Sequence, residues 1–268
     1  MQITKAMELV ASSKLRRAKD KAEASRAFFD AQYSMLCDIA AAKKDFTSDF
    51  TKKRAVKRRL FIVIAGDRGL AGGYNANVLK LAVGEHQNDA KKPIIIAIGK
   101  KAIDFFEKRG YELAGKYPQL AETAKIADCG DISTIAVDMF KKGEVDEVKV
   151  FYTTYVSPLV QNAVSLDILP VYAPESEKAG FEHMINYDPS PHAVFDRIVP
   201  KFITSLVYCA LGDAYASEQS ARRMAMESAT DNAEKMTAEL SLKYNRARQE
   251  KITNEINEIV SGANALSQ

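Results

Sequence analysis

Apolar and small residues recur every three or four positions at both ends of the chain. Near the N-terminus the series runs through Ala18, Ala22, Ser25, Phe29, Tyr33, Leu36 and Ala40, and it continues upstream at Ile3, Met7 and Val10. Near the C-terminus it runs through Ala229, Ala233, Met236, Leu240, Tyr244 and Ala247, then shifts phase and continues at Ile252, Ile256, Ile259, Ala263 and Leu266. This spacing predicts an α-helix at each end, and small seam residues let two helices approach closely. The pattern is typical of a two-helix coiled coil.

The middle of the chain carries the turns. The first glycine is Gly66, and all eight prolines lie between Pro93 and Pro200. Short β-rich runs at 60–65, 93–98, 147–155 and 162–171 alternate with helical patterns that start near 77 and span 101–108 and 132–142. Alternating strands and helices predict an α/β domain.

The pattern divides the chain into four parts. We expect an N-terminal coiled-coil helix with a basic linker at 1–58, an α/β domain at 59–174, a connecting loop at 175–190 and a C-terminal coiled-coil helix at 191–268. Ser190 and Pro191 suit the N-cap and first position of the last helix, and Pro200 predicts a kink in it. The first helix enters the domain and the second leaves it, so a paired arrangement must be antiparallel.

The second helix is the longer one, so its tip should project beyond its partner. An exposed apolar tip carries a free-energy penalty, and we therefore expect another protein to surround it. The tip residues concerned are Ile252, Ile256, Ile259 and Val260.

Composition excludes several classes of protein. The 268 residues are 47% hydrophobic and 27% charged, as in a folded globular protein, and no apolar run is long enough to cross a bilayer. The net charge of +3 does not predict nucleic acid as a partner. Three widely spaced cysteines, Cys37, Cys129 and Cys209, fit buried apolar positions in a reducing compartment.

Local charge leaves two interpretations open at two places. The segment 43–59 holds eight basic residues against two acidic ones, and it is either a solvated linker or a docking patch. The first helix has an excess of basic residues, which forms either a solvated face or a contact surface. Its basic residues are Lys5, Lys14, Arg16, Arg17, Lys19, Lys21 and Arg26.

No pattern of catalytic residues stands out. The loop Gly66–Gly73 follows a strand as a phosphate-binding loop does, but no Lys-Ser/Thr follows and the G-x-G-x-x-G register does not fit, so a structural turn is favoured. His86, His183 and His192 are scattered without metal-ligand spacing. We expect no catalytic residues, no cofactor and no metal.

Four segments together resemble the gamma subunit of F-type, proton-translocating ATP synthases. They are Ile3-Thr-Lys-Ala-Met-Glu-Leu-Val-Ala-Ser-Ser-Lys-Leu-Arg, Asp67-Arg-Gly-Leu-Ala-Gly-Gly-Tyr-Asn, Ala229-Thr-Asp-Asn-Ala, and Tyr244-Asn-Arg-Ala-Arg-Gln through Glu258-Ile-Val-Ser-Gly-Ala. Two features differ: the family's first helix normally starts several turns upstream of the first motif, and Ala71 stands where many bacterial relatives carry Cys. No cysteine-bearing insertion of the chloroplast type is present.

The resemblance implies a non-catalytic central-stalk rotor with a Rossmann-like central domain. Its implied partners are the alpha and beta subunits, the epsilon subunit and the membrane ring of c subunits, on the cytoplasmic face of the bacterial plasma membrane, with no nucleic acid and no bound nucleotide. The implied contacts are Met7, Lys5, Arg248, Gln249 and Thr253 for beta, Ile252, Ile256, Ile259 and Val260 for an apolar bearing, and Tyr187 and Asp188 for the c ring.

Two further hypotheses remain open from the residues alone. An enzyme would bind ATP or NAD at Gly66–Gly73. A coiled-coil adaptor with a non-catalytic α/β domain, or a nucleic-acid binder, would use the basic segment 43–59, and its affinity for nucleic acid would fall steeply with salt.

Overall fold

A computed structural model describes residues 2–41, 48–52, 54–87, 89, 91–171, 188 and 190–266. Its elements alternate between two long terminal helices and a central sheet with short helices. In chain order they are α1 Gln2–Ala41, β1 Arg59–Ile64, α2 Tyr74–Glu85, β2 Ile94–Ile98, α3 Lys100–Glu107, β3 Leu113–Tyr117, α4 Leu120–Thr123, α5 Ile126–Lys141, β4 Glu147–Tyr155, β5 Gln161–Leu169 and α6 Pro191–Leu266.

The five strands form one sheet in the order β3-β2-β1-β4-β5. The first four are parallel, and β5 runs antiparallel beside β4. Strands β1 and β2 are nearly continuous apolar runs because both faces of a parallel sheet are covered. The order of the parallel strands is that of a Rossmann-like half, which confirms the predicted fold class.

Helices cover the two faces of the sheet. On one face, α5 and α6 pack over alternate residues of β1 such as Leu60 and Ile62, in a core that also takes in Leu36 of α1. On the other face, α2 and α3 pack over Phe61 and Val63. The long helix α6 is therefore both a wall of the α/β domain and half of the shaft.

Helices α1 and α6 pair in an antiparallel coiled arrangement, as predicted. The ring of Phe29 lies 5.5 Å from that of Phe202, whereas the Thr230 hydroxyl donates to Thr4 Oγ1 at 2.7 Å. Residue numbers thus rise along one helix as they fall along the other. We call the paired part of α1 and α6, together with the rest of α6, the shaft.

The predicted seam of α1 is wrong at its upstream end. Ile3 is 76% exposed and Val10 is 55% exposed, whereas Ala11, Leu15 and Ala18 are buried. Small residues sit in the seam there, because the two backbones come close and larger side chains point away. Met7 lies at the border and is half-buried.

The start of α6 follows its predicted capping. The Ser190 hydroxyl accepts the backbone N–H of Ala193 at 3.2 Å, and Pro191 is the first helical residue. Pro200 lies inside the helix. The kink at Pro200 stays a prediction.

Some elements differ from the prediction. Strand β3 and the short helix α4 were not expected, and α2 and α5 begin at Tyr74 and Ile126 rather than near 77 and at 132. The residues of β3 are half-buried without alternation, so their pattern is not that of a strand. Within the described part of the chain, no helix is long and apolar enough to cross a membrane.

Neither interpretation of the basic segment 43–59 fits its described arginines, because these bind the domain itself. Arg59 pairs with Asp89 at 2.7 Å and Glu147 at 2.9 Å, and Arg58 pairs with Glu112. The Arg54 guanidinium donates to the Phe140 carbonyl at 2.9 Å. Lys43, Lys44 and Lys53 lie outside the described residues. Among the cysteines, Cys129 is buried and Cys209 is partly exposed.

Candidate subunit-contact surfaces

The basic face of α1 is only partly engaged within the chain. Lys14 pairs with Glu122 at 2.5 Å, and the Lys19 ammonium lies 4.7 Å from the centre of the Tyr155 ring. Lys5, with Arg16 and Arg17, is exposed and forms no ion pair with any described residue. Lys5, Arg16 and Arg17 therefore leave positive charge on the exposed surface of α1.

A groove of about 610 Å³ lies beside Met7, between α1, α6, the loop after β1 and the start of α4, with the buried side chains of Glu218 and Arg222 among its lining residues. Its apolar wall includes exposed Ile3, Val10 and Leu70. Leu70 and Gln119, both lining the groove, are the two non-glycine residues with left-handed backbone in the described chain, at φ 62° and 60°. Left-handed backbone costs free energy and concentrates at functional sites, so this groove is a candidate contact surface that the sequence did not reveal.

The tip of α6 is exposed along its length. Residues 231–266 extend about 54 Å past Thr230 at 1.5 Å per residue, and every described side chain from 234 to 262 is exposed. The four predicted bearing residues are 46–72% exposed, which is unusual for large aliphatic side chains. They are Ile252, Ile256, Ile259 and Val260.

Three predicted polar contact residues also lie on this projecting part. Arg248, Gln249 and Thr253 are exposed, and the Thr253 hydroxyl donates to the Gln249 carbonyl at 2.9 Å. They lie about 27–35 Å farther along the shaft than the level of Thr230, which pairs with Thr4 near Met7. The fold therefore does not bring the predicted beta contacts together but separates them into two zones.

The predicted c-ring contact lies at the opposite end. Asp188 is exposed just before α6 begins, about 60 Å from the level of Thr230. Tyr187 lies outside the described residues. The candidate contacts are thus distributed along the whole length of the shaft.

The loop Gly66–Gly73 makes the contacts of a structural turn. The Asn75 side chain accepts the Gly66 N–H at 2.8 Å and donates to the Arg68 carbonyl at 3.2 Å. Asp67 accepts the backbone N–H groups of Lys100 and Gln119 at 2.9 and 2.8 Å. The loop's polar groups are used to hold neighbouring segments, which leaves little in it to cradle a phosphate.

A buried ion pair on α6 was also missed from the sequence. Glu218 and Arg222 meet at 2.7 Å, with side chains only 8% and 11% exposed. Opposite charges four residues apart in a stretch of small residues are the signal that could have revealed it. The pair lies against the loop after β1.

Burial perturbs the acid–base groups around this pair. Desolvation raises the pKa of the Glu218 carboxyl, although the Arg222 guanidinium opposes the rise. Desolvation and the carboxylates of Glu122 and Glu218 raise the pKa of Tyr215. The hydrogen bond from Lys14 lowers the pKa of Glu122. The pKa values of Glu122 and Glu218 are therefore shifted in opposite directions.

Comparison with known proteins identifies the family. A family model described as ATP synthase matches residues 1–266. The chain is 50% identical over 267 residues to the ATP synthase gamma chain of Ruminococcus albus, covering 98% of this chain and 92% of that one. The chain belongs to the ATP synthase gamma-chain family. As a gamma chain it is a non-catalytic, central-stalk rotor subunit of the complex.

Other gamma chains are nearly as similar. The ATP synthase gamma chain of Acetobacterium woodii described as sodium ion specific is 40% identical, with 100% of this chain and 94% of that one covered. Among solved structures, a chain of the Tetrahymena thermophila mitochondrial ATP synthase central stalk and c ring matches with a TM-score of 0.63 at 21% identity. The match covers 85% of this chain and 99% of that one. A chain from the Euglena gracilis mitochondrial ATP synthase has a TM-score of 0.60 at 19% identity, and the match covers 97% of this chain and 95% of that one. These two structures show the same fold.

Proposed function

We propose that this gamma chain couples ion flow through a membrane ring of c subunits to sequential conformational changes at catalytic sites on beta subunits. The observation that carries the proposal is the shaft, a pair of long antiparallel helices of which α6 ends in exposed large apolar side chains at Ile252, Ile256, Ile259 and Val260. A projecting apolar helix is suited to turning inside a ring of other subunits.

The proposed mechanism is one of unequal contact. The shaft has a different surface on each side, because a basic face, a groove and an apolar stripe lie at different angles and heights. A ligand shifts a protein toward the conformation that it binds better. A rotating shaft that presents a different surface to each of three beta subunits would therefore favour a different conformation in each.

The proposed contacts follow the zones of the shaft. An acidic segment of beta would meet Met7 and Lys5, and the exposed apolar rim of the adjoining groove at Ile3 and Leu70 would extend that surface. Higher on the shaft, beta would meet Arg248, Gln249 and Thr253, and the alpha and beta ring would enclose the apolar bearing of Ile252, Ile256, Ile259 and Val260. Epsilon would bind alongside, and the c ring would bind near Tyr187 and Asp188. The chain would thus lie on the cytoplasmic face of the bacterial plasma membrane through its complex.

Copurification tests the assignment of partners. The chain is tagged in its host, membranes are solubilised gently, and copurifying proteins are identified by mass spectrometry. We expect alpha, beta, epsilon and c subunits. Recovery of none of them with a monodisperse free chain would instead favour a coiled-coil adaptor.

Two substitutions in the assembled enzyme test the contact zones. Ile256→Asp places a charge in the apolar bearing, and Met7→Lys adds positive charge at the contact with beta, so we expect each to lower ATP synthesis in membrane vesicles. Asn254→Asp adds the same charge two residues from Ile256 at an exposed polar position and serves as the control. Unchanged synthesis in both test variants would contradict the proposed surfaces.

A further inference from the structure

The carboxyl edge of the parallel sheet contains a place where ligands bind in many α/β proteins. There the strand order reverses between β1 and β4, and the crevice outside the two strand ends commonly holds a ligand. In this chain, α6 crosses that crevice. The Ser217 hydroxyl donates to the Thr153 carbonyl of β4 at 3.1 Å, and the Glu218 carboxyl lies against Gly66 at the end of β1.

The fit at Gly66 is close. A Cβ atom on this residue would lie 2.9 Å from the Glu218 carboxyl carbon, so any larger residue would force the Glu218 side chain to shift. Arg222 pairs with Glu218 at 2.7 Å and donates to the Gly69 carbonyl at 3.3 Å. Helix α6 thus inserts a paired acid and base where other α/β proteins bind a small molecule.

The loop that receives this pair is itself held in place. Asn75 binds the backbone of Gly66 and Arg68, and Asp67 binds the start of α3 and the residue before α4. Arg222 therefore contacts a loop that is tied to several elements of the domain. A rotation of α6 against the sheet would break these hydrogen bonds.

Stability alone does not explain a buried ion pair. Removing two charges from water is costly, and well-packed neutral side chains often stabilise a protein as much or more. The apolar face of α6 already holds the helix against the sheet, but apolar contact is non-directional. Hydrogen bonds depend on direction, so the pair adds a defined rotational setting.

We propose that Glu218 and Arg222 are positioning residues that fix the angle of α6 against the loop after β1 and so pass torque between the α/β domain and the shaft. This inference rests on the proposed rotor function. Torque crosses the junction when the domain is attached to the loaded membrane ring. In a detached catalytic complex the junction carries no load.

The test uses the double variant Glu218→Gln/Arg222→Met in the assembled enzyme, which removes both charges at similar side-chain volume. We expect ATP hydrolysis by the detached catalytic complex to stay within about twofold of wild type. ATP-driven ion pumping per ATP in membrane vesicles should fall by about threefold or more. The melting temperature of the complex should change little, because the cost of leaving the introduced amide without a partner offsets the gain from removing two buried charges.

A matched control changes a similar pair away from the junction. Lys149 and Glu85 link β4 to α2 at 2.6 Å without touching α6, and Glu85→Gln/Lys149→Met should leave pumping per ATP unchanged. A second variant, Arg222→Lys, keeps the charge beside Glu218 but lacks the guanidinium fork that reaches Gly69. We expect it to give an intermediate loss of pumping per ATP.

Two results would overturn the inference. One is pumping per ATP equal to wild type in the double variant. The other is failed assembly, or a parallel loss of hydrolysis, pumping and melting temperature, which would assign the pair a structural role only. Failure of the unchanged chain to copurify with alpha and beta or to restore pumping in a host lacking its gamma chain would contradict the rotor function instead.

Discussion

At the scale of single residues, arginine side chains have different roles according to how deeply they are buried. Arg222 is buried and grips a backbone carbonyl, Arg59 joins two carboxylates at the base of the sheet, and exposed Arg17 has no ion-pair partner among the described residues. Their charge alone does not distinguish these three arginines. Burial and partners separate those that hold the fold from those available to another subunit.

The ion pair of Lys14 with Glu122 gives a pH-dependent prediction. The hydrogen bond from Lys14 lowers the pKa of Glu122 from its usual value of 4.5. A carboxyl with a lowered pKa in the folded state stabilises the fold above its unfolded-state pKa and loses this contribution as the pH falls through the folded-state pKa. We expect Glu122→Gln to lower the free energy of unfolding at pH 7 by less than about 1 kcal/mol, because the pair is largely exposed.

The measurement is urea unfolding of the purified chain at a series of pH values from about 3 to about 7. This interval spans the pH range in which carboxyl groups ordinarily titrate. The difference between Glu122→Gln and wild type should shrink toward zero at the acidic end. Lys14→Met should show the same trend, and the double variant should lose no more than either single one. A difference that grew at acidic pH would contradict the assigned pair.

At the scale of elements, the sequence predicts what is strongly periodic or strongly buried. Both long helices and the apolar strands β1 and β2 follow directly from spacing and from continuous apolar runs. The antiparallel pairing also follows, because the chain enters the domain at the end of α1 and leaves it at the start of α6. The registers of Ile62 with Ile96 and with Val150 then place the loop after β1 at the carboxyl edge.

The remaining elements depend on tertiary contacts that local pattern does not encode. Strand β3 contains Gly115 and has half-exposed residues on both faces, so only its pairing with β2 makes it a strand. The observed seam of α1 differs from the predicted one because alanines and a threonine face α6, while Ile3 and Val10 face outward. Likewise, no spacing rule says that Glu218 and Arg222 face the crevice of the sheet.

The junction of β2 with α3 gives a prediction at this scale. Gly99 has φ 89°, and a Cβ there would lie 2.0 Å from the Ala65 carbonyl oxygen. We expect Gly99→Ala to lower the free energy of unfolding by about 2–4 kcal/mol, through backbone strain and displacement of β1. Urea or thermal unfolding of the purified chain measures this change.

Gly84 supplies the matched control. It lies in α2 with nothing within 4 Å of a Cβ atom, so Gly84→Ala should be neutral or stabilising by up to about 1 kcal/mol. Equal effects of the two substitutions would show that the close approach of β1 and β2 at Gly99 is not as described.

At the scale of the whole molecule, the candidate contacts are spread along one axis. Asp188 lies at one end, Met7 and the groove lie near the level of Thr230, and the bearing residues lie beyond it. The junction of Glu218 and Arg222 sits between the first of these zones and the last. A shaft with separate zones fits a part that connects distant partners.

This shape predicts a distinctive scattering profile. Helix α6 has 76 residues, which at 1.5 Å per residue is about 114 Å long. We expect small-angle X-ray scattering of the monodisperse chain to give a maximum dimension above about 100 Å and a radius of gyration well above the about 18 Å of a compact domain of this length. A radius near the compact value would mean that the tip folds back onto the domain.

The antiparallel shaft also sets the order in which the newly made chain can fold. Helix α1 leaves the ribosome first, but Thr230, which bonds Thr4, follows 226 residues later. At about 5–20 residues per second, that end of α1 waits at least about ten seconds for its partner. The sheet face under α2 and α3 is complete long before the face that α6 covers. The shaft therefore closes last, and until then its seam and half of the sheet remain open to chaperones.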